Sequence, residues 1–65
     1  MGTIKILSDR SGVFSKGETY NVMDFLQGYF NVTLDSSLVG YLQRIPIPSA
    51  VDYIAKDWGL EYEFV

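Results

Sequence analysis

Sixty-five residues without a single cysteine make one small domain, near the lower limit for folding without staples, and exclude disulfides, thiolate metal sites and a cysteine nucleophile. Eight acids against five bases leave a net charge of −3, and Lys5, Arg10, Lys16, Arg44 and Lys56 are scattered singly, which disfavours counterion-driven nucleic-acid binding. Histidine is absent, no apolar run approaches the ~20 residues that span a bilayer, and no signal-peptide core opens the chain, so the expectation is a cytoplasmic protein.

In chain order, Thr3 to Leu7 alternates modestly and reads as a first strand. Ser8 to Gly17 is a serine- and glycine-punctuated connection, from which Val13 or Phe14 tucks back over one end of the core. Thr19 to Val22 reads as the second strand. Met23 to Gln27 is open to two readings. It is a loop or single turn, or it is a short helix capped by Asn21 and stopped by Gly28, with Val22, Phe25 and Leu26 along one side. Five residues make a poor helix, which favours the loop.

The run from Gly28 to Leu34 reads as a third strand, with Phe30, Val32 and Leu34 on one face and Tyr29, Asn31 and Thr33 on the other. Val39-Gly40-Tyr41-Leu42 reads as a further short strand. Two prolines hold Ile45-Pro46-Ile47-Pro48 extended. Ser49 then caps a helix in which Val51, Ile54, Ala55 and Trp58 form the buried stripe, and Gly59 ends it in the left-handed conformation. Leu60, Tyr62 and Phe64 alternate with Glu61 and Glu63 in a last strand, apolar side inward.

The segment Ser15-Lys16-Gly17-Glu18-Thr19-Tyr20-Asn21-Val22 resembles the lysine-glycine-acid entry into a strand of SH3-like barrels. Gln27-Gly28-Tyr29-Phe30-Asn31-Val32 and Leu38-Val39-Gly40-Tyr41-Leu42 are similar to the two strands that follow in that family. The order and spacing match over residues 3–45, about two thirds of the chain. The resemblance implies a mainly β fold with one helix: a single SH3-like domain over residues 1–65, of about five strands, with the C-terminal helix before the last strand. The peptide groove of that family does not carry over. Its acidic first loop is reduced here to Asp9 and Glu18 beside Arg10 and Lys16. Tyr29 stands where the groove tryptophan is expected, and a full helix follows Pro48.

Few constellations suggest chemistry. Glu61 and Glu63 share one face of the last strand, where they read as solvated charges that discourage edge pairing. Asp35 with Ser36 and Ser37 reads as a turn, and Gly12, Gly17 and Gly28 form no phosphate-cradling loop. The aromatic content stands out: five tyrosines, four phenylalanines and one tryptophan. Half-exposed tyrosines suit an interface. These readings predict no enzyme, metal or cofactor, but a protein-binding accessory or inhibitor module of the kind found in phages and mobile elements. Its partner contacts would be Phe25, Leu26, Tyr29, Tyr41 and Tyr53. Two alternatives stay open. One is a homo-oligomeric structural subunit associating through its edge strands; the other is a nucleic-acid-associated barrel with Tyr29 and Tyr41 stacking on bases.

Overall fold

The alternation of Ile4 and Ile6 with Lys5 makes Thr3–Asp9 a strand, β1, whose two isoleucines are fully buried. It occupies the centre of a three-stranded antiparallel sheet in a computed structural model that describes residues 2–12 and 14–65. The flanking strands are β2 (Thr19–Asn21) and β3 (Leu60–Phe64), giving the order β2-β1-β3. Ile4 pairs with Tyr20 on one side and with Phe64 on the other; Ile6 pairs with Tyr62. A bulge at Leu7 then shifts the pairing so that Ser8 meets Glu61 and Asp9 meets Leu60.

That one-residue shift brings Asp9 into the inward phase at the end of the sheet, where its carboxylate organises the next turn. Oδ1 accepts from the Ser11 amide at 2.8 Å and the Ser11 hydroxyl at 2.6 Å, and Oδ2 accepts from the Phe14 amide at 2.7 Å. Phe14 is thereby held against Tyr20, Phe25 and Trp58 at centroid distances of 5.0, 5.1 and 5.5 Å. The expected tuck of this connection over the core is therefore made by Phe14; Val13 lies outside the described residues. The Ile6 amide donates to the Glu18 carbonyl at 2.9 Å and the Gly17 amide to the Ile6 carbonyl at 2.7 Å, closing the connection back onto β1.

The middle of the chain corrects the barrel expectation. Among the described residues there are three helices and an open three-stranded sheet, so the fold is α+β and not a mainly β barrel of five strands. Helix α1 (Val22–Val32) replaces both the loop at Met23 to Gln27 and the strand after it, and α2 (Ser36–Leu42) replaces the strand at Val39 to Leu42. The physical reason is in the spacing. Val22, Phe25, Leu26 and Tyr29 recur at one helical face and are all buried, whereas Val32 and Leu34 of the supposed inward strand face are 63 % and 99 % exposed.

Asn21 caps α1, its side chain accepting from the Met23 amide at 2.8 Å. Gly28 does not stop the helix, which runs on through it. Asp35 caps α2, accepting from the Leu38 amide at 3.1 Å, and Leu42 is buried on its inner side. Helix α3 (Ile47–Trp58) starts two residues before Ser49, with Pro46 at the cap position and Pro48 in the first turn, where no amide hydrogen is needed. Of the Ile45 to Pro48 run, Pro46 is extended at ψ 144°, Ile45 lies in a bend, and Ile47 and Pro48 are helical. Gly59 ends α3 at φ 66°, as the sequence indicates, and β3 has the expected bounds and inward side. Ala50, Val51, Ile54 and Ala55 of α3 join Ile4, Ile6, the α1 stripe, Leu42 and Leu60 in one core on the helical side of the sheet.

Candidate functional site

A groove of about 270 Å³ opens on the helical layer, between α1 and the α2–α3 connection. Its floor is made by Leu26 from α1, Leu42 from α2 and Ala50 from α3, all buried. Phe30 and Ile45 wall it half-buried, and Met23 and Ile47 stand on its rim, 58 % and 42 % exposed. Gln27 and Gln43 are its polar lining residues, and among the described residues no charged one lines it.

Local sequence explains the opening. Helix α1 carries a second stripe beside its core stripe: Met23, Leu26 with Gln27, and Phe30 recur at helical spacing. Helix α2 ends after Leu42, and the Arg44 amide donates to the Tyr41 carbonyl at 3.0 Å in a tight turn. Pro46 and Pro48 then force a new start, with small Ala50 facing the space where a larger side chain would fill it. The Gln27 amide nitrogen donates to Asn31 Oδ1 at 2.9 Å, which fixes one polar side chain of the lining.

The five residues expected to contact a partner separate into two sets. Phe25, Leu26 and Tyr29 are buried in the core, which removes them from the contact surface of the folded chain; only Leu26 reaches the groove, as part of its floor. Phe25 sits between Phe14 and Trp58, at 5.1 and 6.3 Å. Tyr29 lies 4.9 Å from Trp58 and its hydroxyl donates to Asp57 Oδ2 at 3.0 Å. Burial foremost, then the hydrogen bond to Asp57 and that residue's negative charge, push the Tyr29 phenol up to about 12. Tyr41 and Tyr53 are exposed, on α2 and α3, and neither lines the groove.

Sequence reasoning missed Met23, Gln27, Phe30, Leu42, Gln43, Ile45, Ile47 and Ala50 as groove residues. The second α1 stripe was the available signal for Met23 and Phe30, but only once the segment is read as a helix. Elsewhere, Ser36, Ser37, Gly40, Tyr41 and Arg44 line an open cleft along α2. Among the described residues no group of three or more acidic, histidine or cysteine side chains is placed to hold a metal ion. No helix among them is long and apolar enough to cross a membrane. Comparison with known protein families, curated proteins and solved structures finds no match for the chain.

Proposed function

We propose that the chain is a non-enzymatic binding module whose groove takes a large apolar side chain presented by a protein partner. One observation carries the reading: an uncharged, apolar recess with Met23 and Ile47 left on its rim, where a partner surface would cover them. Its volume of about 270 Å³ lies at the lower end of the roughly 300–1,000 Å³ of ligand pockets, and it opens to the surface. Its apolar lining suits an aromatic or aliphatic anchor, the kind of buried contact that dominates protein interfaces. The glutamines at its border offer amide donors and acceptors to the backbone beside such an anchor.

The test is a titration of the isotope-labelled protein with capped helical peptides that each present one leucine, phenylalanine or tryptophan. The expected result is a set of amide shifts at Met23, Gln27, Phe30, Gln43 and Ile47, lost in Met23→Ser/Ile47→Ser while the melting temperature holds. Shifts that avoid these residues, or peptides that all leave the spectrum unchanged, reject the groove as the site.

A further inference from the structure

The open edge of the sheet at β3 has a chemistry of its own, independent of the groove. The Ile6 amide and carbonyl both bond toward β2, and the Thr3 carbonyl accepts from the Val65 amide at 3.0 Å. Backbone groups therefore alternate along β1, Ile4 and Ile6 facing β2, Thr3 and Lys5 facing β3. The partners of Thr3 and Lys5, which are Val65 just past β3 and Glu63 within it, turn their backbone groups inward. The amides and carbonyls of Tyr62 and Phe64 consequently point out of the sheet, along its edge.

The side chains divide just as regularly. Tyr62 and Phe64 lie on the helical face, half-buried, their rings 5.4 Å apart and perpendicular, so that they form an apolar shelf ending at the edge. Glu61 and Glu63 lie exposed on the opposite face. An antiparallel strand added here makes its hydrogen-bonded pairs with Tyr62 and Phe64, and its non-bonded pairs, with Cα atoms about 4.5 Å apart, with Glu61 and Glu63. The closest cross-strand side-chain contacts thus fall on two carboxylates.

This arrangement discriminates among strands. A second copy of β3 meets a glutamate with a glutamate in each antiparallel register that sets Tyr62 against Leu60, Tyr62 or Phe64 of the other copy. Tyr62 against Tyr62 sets Glu61 against Glu63 twice, and a two-residue slip in either direction sets Glu63 against Glu63 or Glu61 against Glu61. Like charges directly opposite are destabilising, and opposite charges there are stabilising.

We infer that the β3 edge accepts an added antiparallel strand from a protein partner in which basic and apolar residues alternate. Its basic residues lie against Glu61 and Glu63 and its apolar residues beside Tyr62 and Phe64. Main-chain bonds supply affinity and the alternation supplies selectivity, while the net charge of −3 steers basic segments toward the chain.

The probe is a capped peptide of alternating lysine and valine, titrated into the full chain with amide hydrogen exchange as readout. A second peptide has every valine replaced by proline; it keeps the charge but cannot complete a ladder. The expected result is slowing of exchange at Tyr62 and Phe64 by about tenfold or more on saturation, with no slowing by the proline peptide. Binding should weaken by about tenfold or more in Glu61→Lys/Glu63→Lys, with two cross-strand pairs reversed. Glu61→Gln/Glu63→Gln should fall between the two and serves if charge reversal impairs folding. Unchanged exchange at Tyr62 and Phe64, equal binding of both peptides, or self-association of the unmodified chain through β3 overturns the proposal.

Discussion

The Tyr29 hydroxyl donates to Asp57 Oδ2 at 3.0 Å, so a phenol rooted in the core of α1 grips the last turn of α3. The same contact brings Trp58 to 4.9 Å from the Tyr29 ring. The hydrogen bond thus joins the two helices beside the single tryptophan, which also packs against Phe14 and Phe25.

This pair makes stability depend on alkaline pH. The Tyr29 phenol titrates near 10.0 when unfolded and is pushed up to about 12 when folded, first by burial and then by Asp57. Burial foremost, reinforced by Asp52 and opposed by Lys56, also raises Tyr62. Between the two values the folded state holds protons that the unfolded state has lost, so stability must fall as pH rises above 10. Urea titrations from pH 8 to 11.5 should show that decline. Tyr29→Phe should make it shallower while costing about 1 kcal/mol at neutral pH, for the loss of one hydrogen bond to a largely solvated carboxylate.

Two glycines should respond to alanine with opposite signs. Gly28 lies inside α1, and a methyl group added there would meet nothing within 4 Å. Gly28→Ala should therefore stabilise the chain by about 0.5–1 kcal/mol through helix propensity. Gly59 sits at φ 66° and an added Cβ would approach Arg10 Cδ to 3.1 Å. Gly59→Ala should cost at least about 1–2 kcal/mol, from the left-handed backbone together with crowding against Arg10, whose Cβ at 3.3 Å is fixed to the backbone. Thermal melts of the two variants check both signs.

Serine at Phe25 and Leu26 distinguishes core from surface. As surface contacts they would tolerate the change; as core residues they cannot. Phe25→Ser should cost at least the ~3–5 kcal/mol of a buried phenylalanine truncated to alanine, enough to unfold much of so small a domain. Tyr41→Ser and Tyr53→Ser, at exposed positions, should change stability by no more than about 0.5 kcal/mol. Far-UV circular dichroism and Trp58 fluorescence would separate the two groups.

The outer parts of the fold were legible because local pattern and tertiary burial agree there. Leu60, Tyr62 and Phe64 alternate with glutamates in a strand that has just one covered face, and Gly59 marks the helix end before it. At the centre two periods competed. Phe30, Val32 and Leu34 alternate as a strand would, but only Phe30 is covered, so the alternation carried no burial. Val22, Phe25, Leu26 and Tyr29 held the helical period, and Gly28 concealed it by resembling a stop signal. The groove was less legible still. It lies between helices, where Leu42, Ile45 and Ala50 meet across segments that share no common period.

The strand order β2-β1-β3 sets a timetable for folding. Pairing Ile4 with Phe64 joins residues from nearly opposite ends of the described chain, and the entropy of closing so long a loop is lost before that contact contributes. The bonds inside α1, α2 and α3 close within single turns, and the Ile4–Tyr20 pair spans a much shorter loop. The transition state should thus hold the helices and β2 against β1 with β3 still adrift. Mutations in Tyr62 or Phe64 should accelerate unfolding and leave the folding rate nearly unchanged, whereas Ile4, Val51 and Ile54 should set the folding speed. The strand whose edge lies open to a partner is then the last to dock and the first to leave.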